Sequence, residues 1–463
     1  MLLPPGVVSR ISGILDSGTL NAYQFEIMKQ LFFFFSFVML VIASPAEAQS
    51  TLPTAEASPA IKLVTSPEPG WPQWLGPDRS GVSAEKGLLA SWPKSGPKLL
   101  WKATGLGKGY SSPVISRGTI YITGDAEEQL FISALDADGK VKWKTPNGKP
   151  WVRSFPGSRS SCTYADGLVY HTNAHGRLVC LNANDGKEVW SVSLLEKYAS
   201  KNILWGICES PVVDDGKIFV TPGGGKALMV ALDAKTGKEI WKTKPLNKDE
   251  TATYTSPLLL ATSKGKQLIT SCSAMTFGVD AATGKLLWNY PHDIDMCIAL
   301  TLACSRGKII VPLASRQDIS TFALTLDPQT NQVKRMWGNK MGNATGNPRC
   351  VSGKILYPSS RQPRGWHYLD DQTGKVVASL ADLRAGASIY ADGRFYALCS
   401  DGKMLLLAAG EKKLRIVSKF TFIEKKKDVW AYPVLCNGRL YLRYDDTLYC
   451  YDVQKKATGP TGK

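Results

Sequence analysis

The chain is short of histidine and of acidic residues. Its 463 residues include 4 His, and 39 Asp and Glu stand against 56 Lys and Arg, which gives a formal net charge of +17. The histidines do not fall at a metal-ligand spacing on one predicted element, and none of the 10 cysteines belongs to a C-x-x-C pair. We therefore expect no metal site and no dithiol redox centre.

Sequence signatures of common enzyme classes are missing as well. There is no G-x-S-x-G, no H-E-x-x-H, no phosphate-binding P-loop and no Rossmann glycine pattern. No nucleic-acid recognition motif accompanies the positive charge, so we expect no nucleic-acid partner. The charge favours an anionic partner, such as an envelope polymer, but many of the lysines recur at one turn of the repeat described below. Solvated turn lysines are therefore the simpler interpretation.

The N-terminal apolar run, residues 31–43, is too short for a comfortable membrane span. It follows Met28-Lys29-Gln30 and precedes the small-x-small tripeptide Ala46-Glu47-Ala48. This order is typical of a signal peptide, here cleaved after Ala48, with a membrane anchor as the alternative. We expect residues 1–48 to be this signal, with Met28 as the true start, and the mature chain to be periplasmic or secreted. No cysteine precedes Cys162, so we expect no lipid-modified N-terminal cysteine.

An internal repeat dominates the rest of the chain. Residues 209–242 read ESPVVDDGKIFVTPGGGKALMVALDAKTGKEIWK, and eight such copies recur at intervals of 41–49 residues. A typical copy has a first strand after S-P, a D-G or similar turn, an alternating second strand, a third strand ending in A-L-D, and a fourth strand with a tryptophan. This period predicts a β-propeller at 92–453, after a leader at 49–91 and before a flexible tail at 454–463.

The two ends of the repeat region predict how the ring closes. The last copy stops after its third strand, at 448–452, whereas Lys98-Leu99-Leu100-Trp101 matches a fourth strand. We predict that this N-terminal strand completes the last blade, which gives an all-β, eight-bladed propeller of four-stranded antiparallel blades. The seventh copy lacks the tryptophan and the turn glycine, so seven blades plus an irregular element is the alternative.

The periodic tryptophans are predicted to pack between blades. A large aromatic at one position per sheet fills the wedge between neighbouring blades, so we interpret this series as core and not as a cofactor site. Its members are Trp143, Trp190, Trp241, Trp288 and Trp337.

The repeat pattern S-P-x-x-x-[DN]-G-x-[IL]-[FY], followed by A-L-D-A-x-T-G-K-x-x-W, resembles the PQQ-like propeller repeat over about residues 92–453. The segment WPQWLGPDRSG, residues 71–81, is similar to the leader of exported bacterial PQQ-like proteins, which implies that it packs across one face of the ring. Two groups share the repeat. They are the quinoprotein alcohol dehydrogenases, which hold pyrroloquinoline quinone (PQQ) and calcium, and the outer-membrane assembly lipoprotein B, a non-enzymatic scaffold.

Candidate binding residues lie in loops that lead into the innermost strands. In propellers such loops form a funnel at one mouth of the channel, and arginine with aromatic side chains is typical of binding hot spots. The candidates are Trp151, Arg153 and Arg159 in residues 145–160, Trp205 in residues 196–208, and Arg361, Arg364 and Trp366 in residues 359–366.

Glu209 stands at a predicted channel-lining position, two residues before the proline of each copy. The other copies have Ser111, Ser160, Thr255, Leu300, Gly346, Gly386 and Ala431 there. Glu209 could contact a ligand or calcium, or hydrogen-bond a neighbouring blade. A quinoprotein dehydrogenase would need further calcium ligands, a catalytic Asp and an adjacent-cysteine pair, and the sequence lacks that pair. We therefore expect no cofactor, metal or catalytic residue, with PQQ and calcium as the alternative.

These observations together predict a monomeric, exported, non-enzymatic propeller that engages an envelope protein or an anionic envelope polymer. The alternatives are a PQQ- and calcium-dependent dehydrogenase and a scaffold similar to an outer-membrane protein assembly factor. Because the same fold can support binding or catalysis, the residues of the site must decide among these three functions.

Overall fold

The repeats form eight antiparallel sheets, seven of four strands and one of five, and their apolar residues are buried against the neighbouring sheets. The fifth strand is a short leader strand that pairs with the first strand of the fourth sheet. The computed structural model describes residues 61–455 except 248, 293–302, 314–319, 343–345, 361 and 425–427. The predicted signal peptide, residues 49–60 of the leader and the tail from residue 456 lie outside these residues. Within them, no helix has the length and apolar character needed to cross a membrane.

The strands of blades 1 to 7 are hydrogen-bonded in chain order, and blade 8 adds an N-terminal strand as its fourth. Before blade 1 come β1 (Lys62–Leu63) and β2 (Lys98–Ala103). Blade 1 contains β3 (Val114–Ser116), β4 (Thr119–Ala126), β5 (Gln129–Leu135) and β6 (Val141–Pro146). Blade 2 contains β7 (Thr163–Ala165), β8 (Leu168–Thr172), β9 (Arg177–Asn182) and β10 (Glu188–Ser193), followed by the short helix α1 (Leu194–Lys197). Blade 3 contains β11 (Val212–Asp214), β12 (Lys217–Val220), β13 (Met229–Asp233) and β14 (Glu239–Thr243). Blade 4 contains β15 (Leu258–Thr262), β16 (Gly265–Ser271), β17 (Met275–Asp280) and β18 (Leu286–Pro291).

The second half of the ring repeats the same order. Blade 5 contains β19 (Ala303–Ser305), β20 (Lys308–Pro312), β21 (Thr321–Leu326) and β22 (Val333–Asn339). Blade 6 contains β23 (Arg349–Val351), β24 (Lys354–Ser359), β25 (Gly365–Asp370) and β26 (Val376–Ala381). Blade 7 contains β27 (Gly386–Ala391), β28 (Arg394–Cys399), β29 (Lys403–Ala409) and β30 (Leu414–Thr421). Blade 8 contains β31 (Val434–Cys436), β32 (Arg439–Tyr444) and β33 (Thr447–Asp452), with β2 as its fourth strand.

The pairing of β2 with β33 confirms the predicted closure. Leu99 lies opposite Tyr451, and Trp101 lies opposite Cys450. The seventh copy forms a regular four-stranded blade in spite of its missing tryptophan, so the ring has eight blades. This pairing gives blade 8 four strands, with the N-terminal strand β2 as its outermost one.

Tryptophans of the fourth strands join five of the blades to the next one. Trp190 Nε1 donates to the backbone oxygen of Ala234 at 2.9 Å, and its ring covers Gly237. A Cβ atom at Gly237 would lie 2.7 Å from that ring, so the turn needs glycine there. The same contact joins Trp101 to Gly139, Trp143 to Gly186, Trp241 to Gly284 and Trp337 to Gly374. Trp288 differs, since it donates to Gln267 Oε1 of its own blade at 3.1 Å.

The strand directions give the ring two faces. We call the face with the turns between the first and second strands, and between the third and fourth, the leader face. We call the opposite face, with the connections that enter the first strand of each blade, the loop face. Residues 61–91 run across the leader face, and their contacts reach several blades. These contacts are Trp71 with Ile115 of β3, the Pro72 oxygen with Tyr164 N of β7, β1 with β15, Ser83 N with the Tyr390 oxygen of β27, and the Glu85 carboxylate with Asn437 N after β31.

Candidate functional site

The S-P signature builds a hydrogen-bonded series around the channel. In each link a backbone N–H of one blade donates to a hydroxyl of a neighbouring blade, at 2.8–3.0 Å. The links are Tyr432 N to Ser112 Oγ, Ser112 N to Ser161 Oγ, Ser161 N to Ser210 Oγ, and Ser210 N to Ser256 Oγ. Blades 8, 1, 2, 3 and 4 are therefore held in fixed register at the channel wall.

Arg79 of the leader reaches the backbone of this channel wall. The residue is 4% exposed, and Nη1 donates to the backbone oxygens of Ser210 at 3.0 Å and Pro257 at 3.2 Å. Nη2 donates to the Pro211 oxygen, and Nε donates to Gln73 Oε1 at 2.9 Å. Burial lowers the pKa of Arg79 to about 9, and the charge of Glu209 opposes that shift. The leader thus inserts a guanidinium that makes four hydrogen bonds between blades 3 and 4.

Glu209 is buried close to this arginine. Its carboxylate accepts the backbone N–H of Thr221 at 3.0 Å, and burial raises its pKa to about 8. The cavity beside it measures about 10 Å³ and has an apolar wall that includes Leu194 and Ile207. A calcium ion with six to eight oxygens and a tricyclic quinone do not fit in that space. In the part of the chain that the structure describes, no three His, Cys, Asp or Glu side chains are grouped to hold a metal ion.

The residues that line the loop-face mouth stand one position earlier than the sequence predicts. The predicted positions, including Ser111, Ser160 and Thr255, are 1–2% exposed and take part in hydrogen bonds within the wall. Adjacent residues of an extended chain point in opposite directions, so the preceding residues face the mouth instead. They are half-buried and comprise Tyr110, Arg159, Cys208, Tyr254 and Trp430.

Five aromatic rings form a continuous row on this face, which we call the aromatic arc. It consists of Tyr110, Trp430, Phe155, Trp205 and Tyr254. The ring centroids are 4.7 Å apart for Tyr110 and Trp430, 4.9 Å for Trp430 and Phe155, 6.2 Å for Phe155 and Trp205, and 5.6 Å for Trp205 and Tyr254. Phe155 is 41% exposed, and the neighbouring Val152 and Leu204 are 76% and 70% exposed. The arc therefore presents an apolar surface that water still reaches.

Arg159 holds the arc in place and offers little to a ligand. Its side chain lies 5.2 Å from the ring of Trp151, which is itself 4% exposed. Its guanidinium donates to four backbone oxygens, those of Ser154 (3.1 Å), Phe155 (2.8 Å), Gly157 (2.6 Å) and Trp205 (2.6 Å). Burial lowers the pKa of Arg159. Arg159 and Trp151 therefore support the loop that carries Phe155.

The loop face also contains an acidic pocket of about 340 Å³ between blades 8, 1 and 2. Its carboxylate residues are Asp125, Glu127, Asp445 and Asp446, and its other lining residues include Lys108, Pro150, Trp151, Val152 and Pro156. PQQ is itself a polycarboxylate, so this pocket has the wrong charge for it. Asp125 lies near the end of the second strand of blade 1 and not in a loop, so the loop pattern in the sequence does not mark it as a site residue.

The remaining candidates are scattered over the fold. Arg153 is exposed on the Phe155 loop, and Arg364 is exposed after β24 in blade 6. Trp366 is fully buried between blades 6 and 7, in a cluster with Tyr368 and Phe395, so the prediction that it lines the funnel is wrong. Arg361 lies outside the described residues. The structure thus brings Trp151, Arg153, Arg159 and Trp205 together and separates Arg364 and Trp366 from them.

Comparisons with known proteins agree with this architecture. A family model described as outer membrane protein assembly factor BamB matches residues 131–380, which is more than half of the chain. The chain belongs to this PQQ-like β-propeller family. The solved structure of BamB from Moraxella catarrhalis is similar with a TM-score of 0.55 at 12% identity, over 77% of this chain and 99% of that one. Quinohemoprotein alcohol dehydrogenase from Comamonas testosteroni gives a TM-score of 0.57 at 16% identity, over 85% of this chain and 82% of that one.

Curated relatives include both assembly factors and dehydrogenases. Outer membrane protein assembly factor BamB of Escherichia coli is 40% identical over 84 residues, which are 17% of this chain and 20% of that protein. The lanthanide-dependent methanol dehydrogenase of Methylorubrum extorquens is 27% identical over 220 residues, which are 46% of this chain and 35% of that protein. The chain thus spans about a third or less of the length of these relatives.

Proposed function

We propose that this protein is an exported, non-enzymatic scaffold that binds another protein through its loop face. The observation that carries the proposal is the aromatic arc, which joins blades 8, 1, 2, 3 and 4 and exposes Phe155, Val152 and Leu204. Aromatic side chains held rigidly and rimmed by polar groups are the usual centre of protein–protein interfaces. Export follows from the signal-like pattern that ends at Ala48.

The charges near the arc favour a protein over an anionic polymer. The Arg159 guanidinium donates to backbone oxygens, and the adjacent pocket is lined by four carboxylate residues. The exposed turn lysines, including Lys140, Lys187 and Lys238, belong to the leader face. At the loop face an anionic polymer would meet these carboxylates together with the exposed Lys149 and Arg153, so its net attraction there is weaker than at the lysine-rich leader face.

The similarity to proteins named as assembly factors supports a scaffold function. A relative named as an assembly factor shares the fold, and we propose by that likeness a role in holding an envelope protein during assembly. The dehydrogenase alternative has support from similarity alone, because the space beside Glu209 does not fit a quinone. Oxidation of an alcohol by the purified protein with added PQQ and calcium would contradict the scaffold proposal.

Affinity capture with matched variants tests the proposal. The tagged protein is isolated from cells that naturally produce it, and co-purifying proteins are quantified by mass spectrometry. Phe155→Ala and Trp205→Ala should each lower recovery of the same partner at least tenfold, since anchor residues contribute about 2 kcal/mol or more. Ile240→Ala removes a 47%-exposed side chain from blade 3 and should leave recovery unchanged. Equal recovery with all three variants would overturn the proposal.

A further inference from the structure

The acidic pocket of the loop face contains a buried carboxylate with an unused oxygen. Asp125 is 8% exposed, and its Oδ2 accepts the backbone N–H of Trp151 at 2.8 Å. Its Oδ1 is buried and has no hydrogen-bond partner among the described residues. A buried polar atom without a partner is costly, and it marks a place where a donor from outside would be stabilised.

The backbone holds Asp125 firmly in this position. Its N–H donates to the oxygen of Lys108, and its own oxygen accepts from Lys108 N, both at 2.8 Å. Because Trp151 N also fixes Oδ2, the side chain cannot turn its free oxygen toward another partner without losing that bond. The unpartnered oxygen is therefore a feature of the folded pocket.

Two buried arginines lie near Asp125 but donate elsewhere. Arg443 donates to the backbone oxygens of Ser111, Thr123, Gly107 and Asp445, and to the Ser111 hydroxyl. The donors of Arg159 go to its own loop and to Trp205. Both arginines reduce the negative potential at Asp125, but neither supplies the hydrogen bond that its Oδ1 atom lacks. Neither arginine is among the residues that line the pocket.

The other walls suit a short aliphatic chain. Pro150, Val152 and Pro156 line the pocket beside the carboxylate residues. The volume of about 340 Å³ is at the lower end of the range of small-molecule sites. One side chain or a small amine fits this space, and a polymer does not.

We propose that this pocket binds a primary alkylammonium group, which donates to Asp125 Oδ1 while its aliphatic stem lies against Pro150, Val152 and Pro156. Glu127 and Asp446 add negative charge around the ammonium, and Lys108, which also lines the pocket, offsets part of that charge. The group can come from a free diamine or from a lysine side chain of a peptide. This inference does not depend on the proposed function, because the pocket and the arc have separate anchor residues.

Calorimetric titration of the purified protein at pH 7.5 and low salt tests the inference. The probes are cadaverine and Nα-acetyl-lysine amide, with 1-pentanol as the neutral control. We expect saturable binding of both amines and none of pentanol. Tighter binding of acetyl-lysine amide would identify a peptide side chain as the source, and tighter binding of cadaverine would identify a free diamine.

Three variants test whether amine binding depends on the carboxylate of Asp125. Asp125→Asn keeps an oxygen for Trp151 N but removes the charge, and it should weaken amine binding at least tenfold. Glu127→Gln changes an exposed residue of the rim and should weaken binding two- to threefold. Glu411→Gln removes the same charge from an exposed turn of blade 7 and should change nothing. Absence of saturable amine binding, or equal binding by Asp125→Asn and Glu411→Gln, would overturn the inference.

Discussion

The two faces of this propeller are built from the same repeats and yet differ in how their polar groups are used. On the leader face, Glu68 accepts the N–H of Asp166 at 2.8 Å, Glu85 accepts the N–H of Gly438 at 2.8 Å, and Arg79 is bonded on all sides. On the loop face, Phe155 is 41% exposed and Asp125 Oδ1 has no partner among the described residues. The repeats alone do not produce this difference, because the leader covers one face only.

This difference indicates that the leader face contributes mainly to stability and the loop face mainly to binding. The leader adds hydrogen bonds and buried surface where turns of successive blades would otherwise be solvated. The loop face keeps apolar area and carboxylates that gain by meeting a partner. Changes at the leader face should therefore affect unfolding, and changes at the loop face should affect binding.

The largest expected effect comes from removing Arg79. Arg79→Ala leaves the oxygens of Ser210, Pro211 and Pro257 without their donor and opens a cavity under the leader. We expect the free energy of unfolding to fall by about 3–5 kcal/mol, as for other buried charged groups. Urea unfolding measures this change, and Lys86→Ala, at an exposed leader position, should stay within about 0.5 kcal/mol of the parent. A change in the free energy of unfolding as small for Arg79→Ala as for Lys86→Ala would contradict the claim that the leader face contributes mainly to stability.

A second comparison isolates the contact between tryptophan and glycine. Gly237→Ala places a methyl group 2.7 Å from the ring of Trp190, whereas Gly216→Ala meets no atom within 4 Å. Both glycines have positive φ, 69° and 67°, so the backbone cost is shared. Thermal or urea unfolding should show Gly237→Ala less stable than Gly216→Ala by about 1–3 kcal/mol. Equal losses would mean that the ring contact adds nothing.

The buried carboxyl of Glu209 predicts a dependence of stability on pH. Burial raises its pKa from 4.5 to about 8, so in this interval the folded state keeps a proton that the unfolded state releases. The contribution of Glu209 to the free energy of unfolding should thus fall as pH rises, by roughly 1 kcal/mol per pH unit. The difference in stability between Glu209→Gln and the parent should change accordingly between pH 5.5 and 7.5. Parallel pH curves for the two proteins would contradict the pKa shift.

The smallest effect on stability is expected at Phe155. Phe155 is 41% exposed, so Phe155→Ala removes less buried area than the loss of a core aromatic and should cost about 1 kcal/mol in urea unfolding. Trp151→Ala is the contrasting variant on the same loop, since that ring is 4% exposed and supports Arg159. A loss at Phe155 as large as that at Trp151 would mean that the arc is part of the structural core.

The ring was predictable because its repeat has a strong period. The D-G turns, the A-L-D third strands and the match of residues 98–101 to a fourth strand define blade number and closure, which β2 and β33 confirm. Trp366 was misplaced although a signal existed. It stands four residues before Asp370, as Ile132 stands four residues before Asp136, and both are buried in the third strand of a blade.

The site was harder to predict than the ring. It depends on the direction in which side chains point from the entering strands, and on contacts between residues that are far apart in the sequence. If the position that faces the mouth of the channel is placed one residue earlier, Tyr110 and not Ser111 lines the mouth. The inferred lining then changes from polar to aromatic. The contacts of Arg79 with Ser210 and Pro257 join residues 131 and 178 positions apart, and no local pattern encodes them. The free oxygen of Asp125 depends on where Arg159 and Arg443 donate, which only the folded structure determines.

Site-specific photo-crosslinking in producing cells tests the central claim most directly. A photoreactive amino acid is placed at Val152 or Leu204 on the loop face, and at Lys86 or Lys238 on the leader face, all of them exposed. The account predicts adducts with one partner protein from the loop-face positions only, and loss of these adducts when Phe155→Ala and Trp205→Ala are added. Adducts from Lys86 or Lys238 with none from Val152 or Leu204 would contradict it.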